Sequence, residues 1–147
     1  MMKVCCIIGH RNFEKNNEIE FVTKKVVADL IEKEKVSEFL FGSKSKFVDF
    51  CYDIVTEYKK KYSYLKRVFV RAEYPIISDN YYKYLKSFFE ESYFYSEKLI
   101  NNRFGYIKRN QVMIDKSDFC IFYFNVIINF SNYNYICFIY ILYVFFF

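Results

Sequence analysis

Val4-Cys5-Cys6-Ile7-Ile8-Gly9-His10-Arg11 is an apolar run that ends in a glycine and two polar residues. A short, continuously apolar run with β-branched residues is typical of a strand buried on both faces of a parallel sheet. In such sheets, ligands bind outside the carboxyl ends of the strands. The stretch therefore predicts a first strand followed directly by a ligand-binding loop.

Strands and helices alternate in the residues that follow. Apolar residues spaced three or four apart predict amphipathic helices, and short apolar runs predict further strands. This alternation predicts an α/β fold, a Rossmann-like parallel sheet with right-handed crossovers and helices on both faces. The predicted elements are strands over 4–8, 39–41, 68–70 and 119–124 and helices over 19–31, 47–58 and 81–89 and within 103–116.

Composition favours one packed domain and a small anionic ligand. The chain has 147 residues, 54% of them hydrophobic and 24% aromatic, which suits one core without disulfides. Its net charge of +5 is interspersed and lacks the clustered basic footprint of a nucleic-acid-binding surface. We therefore expect no nucleic-acid partner, whereas a homo-oligomer is compatible with this composition.

The five cysteines predict neither a disulfide framework nor a zinc site, because their number is odd and no CxxC spacing occurs. Cys5, Cys6 and Cys120 fall in apolar runs and are expected to be reduced core residues. No metal and no cofactor is expected. The amino terminus, Met1-Met2-Lys3-Val4, lacks the pattern of a signal peptide, which predicts a cytoplasmic protein.

Two predicted loops carry residues suited to phosphate. Gly9 would allow a close backbone approach, Arg11 a bidentate contact and His10 a further hydrogen bond. The second loop, Gly42-Ser43-Lys44-Ser45, opens a helix, where free N–H groups and the hydroxyls of its serines, Ser43 and Ser45, would face an anion. Ser45 as a simple helix N-cap is an equally weighted interpretation.

Two further pairs are second-rank candidates. Arg71 and Glu73 end the third strand, where Glu73 could accept hydrogen bonds from ribose or a base and Arg71 could contact phosphate. A structural ion pair between the two is the preferred interpretation. Arg109 and Asn110 lie early in the last predicted helix, whose Met113 is expected in the core.

Four ordered strings carry a family resemblance. They are Val4 to Arg11, Phe39-Leu40-Phe41-Gly42-Ser43-Lys44-Ser45-Lys46-Phe47, Val70-Arg71-Ala72-Glu73-Tyr74-Pro75 and Arg109-Asn110-Gln111-Val112-Met113-Ile114-Asp115-Lys116-Ser117-Asp118. The chain from about Lys3 to Phe124 resembles the YpsA-like branch of the SLOG superfamily. That resemblance implies a Rossmann-like fold that binds nucleotides or nucleotide-derived ligands, with no settled activity.

The superfamily also contains phosphoribohydrolases, whose Gly-rich motif supplies a catalytic glutamate. This chain has Ser43 and Ser45 where glycines are frequent, and 46–49 offers no glutamate, with Asp49 as the nearest carboxylate. The favoured function is therefore a binding module or sensor for a nucleotide-like phosphate ligand. A phosphoribohydrolase-like N-glycosidase is the alternative, and a membrane-tethered interaction protein is a further one.

The carboxyl-terminal segment departs from the resemblance. No charged residue follows Asp118, and 125–147 lacks the second Gly-Thr-containing loop that the family implies. We divide the chain into a Rossmann-like domain over 1–124 and an apolar tail over 125–147. A frameshift or truncation, a membrane-associating tail and divergent strands are the three explanations, of which the first is preferred. A membrane span is disfavoured because 135–147 is shorter than the roughly 20 residues that a helix needs to cross a bilayer. With the sheet incomplete, an exposed edge is expected.

Overall fold

The computed structural model describes residues 1–9, 11–43, 45–96, 104–126 and 136–143, with backbone alone for 124–126 and 136–143. Within these residues the chain forms six strands and four helices. In order they are β1 (Lys3–Gly9), α1 (Asn17–Glu32), β2 (Val36–Phe41), α2 (Lys46–Lys61), β3 (Lys66–Arg71), α3 (Asp79–Phe88), β4 (Glu91–Phe94), α4 (Gly105–Asp115), β5 (Phe119–Val126) and β6 (Ile136–Tyr143).

The strands form one sheet in the order β4-β3-β2-β1-β5-β6. The first five strands are parallel, and β6 runs antiparallel to β5. The chain steps outward from β1 to β4 and then returns to the other side of β1 as β5. With right-handed crossovers, that reversal places α1 to α3 on one face and α4 on the other. The predicted Rossmann-like α/β fold with helices on both faces is confirmed.

Two apolar clusters lie on opposite faces of the sheet. The larger lies under α1, α2 and α3 and includes Phe39, Phe41 and Phe47. The smaller lies under α4 and includes the fully buried Met113. The prediction that Cys5, Cys6 and Cys120 are core residues is confirmed, and all three are free thiols.

Polar side chains fix where the first three helices begin. The carbonyl oxygen of the Asn16 side chain accepts from the Ile19 amide at 2.8 Å, and Ser78 Oγ accepts from the Tyr81 amide at 3.3 Å. Ser45 Oγ accepts from the Val48 amide at 3.3 Å. Such caps satisfy amide groups that have no acceptor within the helix. All three starts lie at the carboxyl edge of the sheet, where each crossover leaves a strand.

The sequence pattern missed β4. Its residues, Glu91-Ser92-Tyr93-Phe94, form an edge strand with no fully buried side chain, so they lack the continuous apolar run of β1 to β3. The predicted fourth strand is therefore β5, and it continues to Val126. The last predicted helix is α4, which begins at Gly105, while residues 97–103 lie outside the described part of the chain.

On this side of the sheet the outermost strand is β6, so the exposed edge that the sequence predicts lies at β6 and not at β5. The β6 backbone pairs with β5 from Phe119↔Tyr143 to Val126↔Ile136. This pairing is what divergent strands, the third explanation of the tail, would produce, and all three explanations stay predictions. Among the described residues, no helix has the length and apolar character needed to cross a membrane.

A hydrogen-bonded ion pair joins α2, β3 and the residue before β4, on the face of the sheet that α1 to α3 cover. Arg67 Nη2 donates to Glu90 Oε1 at 2.7 Å, and its Nη1 donates to the hydroxyls of Tyr52 and Thr56 at 3.0 Å. Glu90 Oε2 also accepts from the Arg67 amide at 2.7 Å. Burial opposes ionisation of Glu90, but the hydrogen bonds from Arg67 outweigh it and lower the pKa of this carboxyl.

Replacing Glu90 tests how much the Arg67–Glu90 ion pair contributes to the stability of the fold. We predict that Glu90→Gln lowers the free energy of unfolding at pH 7 by roughly 2 kcal/mol, as expected for a hydrogen-bonded charge. Since the folded pKa of Glu90 is lowered, its stabilisation is present above the unfolded pKa of about 4.3 and is lost as the pH falls through the folded pKa. The difference between wild type and variant should therefore shrink below about pH 4. Chemical denaturation across pH measures both effects.

Glu91→Gln is the matched control, because Glu91 pairs with Lys66 at 2.7 Å in an exposed position. Exposed pairs contribute at most about 1 kcal/mol. Equal destabilisation by the two variants would contradict the assignment of Arg67–Glu90 as the structural pair.

Candidate functional site

A cleft of about 680 Å³ opens at the carboxyl ends of β1, β2 and β3, and its far wall is the start of α4. Every predicted site residue that the structure describes lines it, and His10 lies outside the described residues. These residues are Gly9, Arg11, Gly42, Ser43, Ser45, Arg71, Glu73, Arg109 and Asn110.

Gly9 and Gly42 are required by packing. A Cβ at Gly9 would lie 2.8 Å from Phe47 Cβ and closer still to its ring. A Cβ at Gly42 would lie 2.5 Å from Met113 Sδ and 2.7 Å from Arg109 Nε. The two glycines therefore let α2 and α4 pack directly on the ends of β1 and β2. Contact with a helix is a further reason for glycine at position 9, and the close approach of a ligand to its backbone stays a prediction.

Ser45 has the N-cap role that the sequence left open. Its hydroxyl is occupied by the Val48 amide, and the residue is buried. The amides of Lys46 and Phe47 open the same helix, where backbone N–H groups lack acceptors within the helix and carry the positive end of its dipole. The α2 terminus thus contributes amide donors to the cleft, and Lys46 adds a cation to its lining.

The predicted ion pair between Arg71 and Glu73 is wrong. Arg71 Nη1 instead donates to the backbone carbonyls of Tyr74 and Pro75, at 2.9 and 3.3 Å. Its Nε is buried and has no acceptor among the described residues. Burial lowers the pKa of Arg71, and no carboxylate compensates for it. A cation therefore lies at the end of β3 with its hydrogen-bonding capacity only partly used.

Arg109 is a second such cation, and only 5% of it is exposed. Its Nε and Nη2 donate to Asn110 Oδ1 at 3.2 and 3.1 Å, and its guanidinium carbon lies 5.4 Å from the centre of the Tyr106 ring. None of the ion pairs found in the described part of the chain involves Arg109. Burial lowers its pKa, with Tyr106 and Glu73 acting in the opposite direction.

Glu73 is held by Tyr106 across the mouth of the cleft. Tyr106 OH donates to Glu73 Oε1 at 2.6 Å, which links the loop after β3 to α4 and raises the pKa of Tyr106. Asp49, the nearest carboxylate in the sequence pattern, is exposed on α2 and is not among the residues that line the cleft. Four cationic side chains and one carboxylate therefore line it: Arg11, Lys46, Arg71, Arg109 and Glu73.

The apolar and aromatic walls of the cleft were not predicted from the sequence. Tyr74, Tyr81 and Tyr106 line the cleft together with Ile77. A signal existed for Tyr81 and Tyr106, because each lies in the first turns of a helix that begins at the carboxyl edge of the sheet. Within the described residues, no group of three or more His, Cys, Asp or Glu side chains is placed to hold a metal ion.

Comparison with known proteins leaves the family open. No protein-family model matches the chain, and no curated protein matches it. Membership of the YpsA-like branch therefore stays a prediction that rests on the four sequence strings.

The packing role of Gly9 can be tested by adding one methyl group. We predict that Gly9→Ala lowers the free energy of unfolding by about 1–3 kcal/mol, the usual cost of overpacking. Gly105→Ala is the control, because its Cβ would lie 3.1 Å from the Ala72 carbonyl oxygen and 3.7 Å or more from Tyr95, a milder crowding than at Gly9, and alanine is preferred to glycine in a helix. Chemical denaturation should rank Gly9→Ala as the less stable variant, and the reverse order would contradict this role.

Proposed function

We propose that the protein binds a phosphate-bearing small molecule, a nucleotide or a nucleotide-derived ligand, in this cleft and serves as a binding module or sensor. The observation that carries the proposal is a pair of arginines that line the cleft, the partly buried Arg71 and the buried Arg109, neither of which forms an ion pair with a carboxylate among the described residues.

Unpaired burial of a cation is costly, so buried charges in proteins normally have a partner. Arg67 follows that rule in this chain, because Glu90 and two hydroxyls occupy its guanidinium group. Arg71 and Arg109 do not, and their acceptors are carbonyl or amide oxygens. A bound phosphate would supply the missing anionic acceptors and would gain charge-assisted hydrogen bonds from both.

The rest of the cleft lining suits both the phosphate and the aromatic base of a nucleotide. The α2 amino terminus adds amide donors suited to an anion. Tyr74, Tyr81 and Tyr106 offer ring faces on which a base could stack. The proposal agrees with what the resemblance to the YpsA-like branch implies.

A phosphoribohydrolase-like N-glycosidase is a second candidate, and one observation favours it. Glu73 is a carboxylate among the cleft-lining residues, so the acid of such an enzyme would be Glu73 instead of Asp49. A membrane-tethered interaction protein is not carried further, because 136–143 pairs with β5 as a strand of the sheet.

Methionine substitutions test the role of the two arginines. Arg71→Met and Arg109→Met should each weaken binding of AMP, measured by titration calorimetry, by about 10- to 100-fold, the equivalent of one hydrogen-bonded charge. The free Arg109→Met protein should be at least as stable as wild type, because replacing a buried charge with an apolar group is often stabilising.

Lys108→Met is the matched control, since Lys108 is an exposed cation on α4 that is not among the cleft-lining residues. Unchanged AMP affinity in both arginine variants would contradict the proposal.

Turnover distinguishes the two candidates. Under the binding-module proposal, incubation with nucleoside monophosphates releases no free base, as followed by chromatography. Release of base that disappears in Glu73→Gln would overturn the pure binding module and support the glycosidase.

A further inference from the structure

Glu73 is out of place in a cleft built for an anion. It is a carboxylate among four cations, and it forms no ion pair with Arg71 or Arg109. A negative charge beside a phosphate site weakens phosphate binding. Glu73 is exposed at the cleft, so its carboxylate is accessible to a ligand group that a negative charge would attract.

The contacts of Glu73 leave one oxygen available. Oε1 accepts from Tyr106 OH at 2.6 Å, and Oε2 accepts no hydrogen bond from the described residues. Tyr106 is itself placed by the Arg109 guanidinium, 5.4 Å from its ring centre. Tyr106, which contacts the predicted phosphate-binding residue Arg109, thus orients the Glu73 carboxylate. Among the described residues, Glu73 Oε2 is left available to accept a further hydrogen bond.

An ionised carboxylate only accepts hydrogen bonds, so the ligand must supply donors there. Hydroxyl groups of a sugar are such donors, and a ribose phosphate carries them and a phosphate on one ring. We propose that Glu73 is the specificity-determining acceptor for the hydroxyl pair of a ribose on the phosphate ligand, oriented by Tyr106. This inference rests on the proposed function.

The test compares three probes by titration calorimetry: AMP, 2′-deoxy-AMP and inorganic phosphate. Wild-type protein should bind AMP about tenfold more tightly than 2′-deoxy-AMP, as expected for one hydrogen bond to a charged group. In Glu73→Ala this preference should fall to about one, while affinity for inorganic phosphate should stay equal or rise because a repelling charge is lost.

Two variants separate specificity from general damage. Tyr106→Phe keeps the ring beside Arg109 but removes the hydroxyl that orients Glu73, so it should reduce the ribose preference. Glu57→Ala is the control, because Glu57 is exposed on α2 and is not among the cleft-lining residues. Its ribose preference should equal that of wild type.

The results distinguish failure of the ribose assignment of Glu73 from failure of the proposed phosphate site. Equal wild-type affinity for AMP and 2′-deoxy-AMP, or a preference that survives in Glu73→Ala, would overturn the ribose assignment and leave the phosphate site intact. Failure of wild-type protein to bind any of the three probes would overturn the proposed function itself.

Discussion

Parallel pairing of β1 on both of its edges is the constraint on which the rest of the structure depends. β1 pairs with β2 along one edge and with β5 along the other. With the right-handed crossovers usual for parallel strands, the reversal at β1 sends three helices to one face and α4 to the other. The starts of the four helices and the carboxyl ends of β1 to β5 then meet at one edge of the sheet. The cleft exists because α2 and α4 approach that edge from opposite faces of the sheet.

Close packing at the strand ends fixes the walls of the cleft. Phe47 of α2 occupies the space beside Gly9, and Arg109 of α4 occupies the space beside Gly42. One residue thereby has two roles, since the Arg109 side chain packs against the end of β2 and brings its charge into the cleft. Arg71 is fixed separately by the carbonyls of its own loop. Two cations are therefore held in place by groups that do not neutralise them, which is the arrangement expected of a preorganised anion site.

Much of the fold follows from the sequence because β1, β2 and β3 each contain a buried apolar run of three or more residues. β4 was missed because an edge strand of Glu, Ser, Tyr and Phe has no such run. The sequence predicted that the site lies at the carboxyl ends of the strands. The predicted site residues that the structure describes do line one cleft there. The partners of these residues were not predicted: Arg71 binds carbonyls whose positions depend on the path of its loop, and Tyr106 reaches Glu73 from 33 residues away. Contacts of that kind come from tertiary packing, which local patterns do not encode.

We infer that Arg71 and Arg109 are available to an anion, whereas Arg67 is saturated by Glu90. Side-chain ¹⁵N NMR of the arginine Nε–H groups tests it most directly, because the three resonances can be followed in one titration with AMP. We expect the Arg71 and Arg109 signals to shift in a saturable manner while the Arg67 signal stays in place. Unmoved Arg71 and Arg109 signals at AMP concentrations in the millimolar range, or an equal shift of all three, would contradict it.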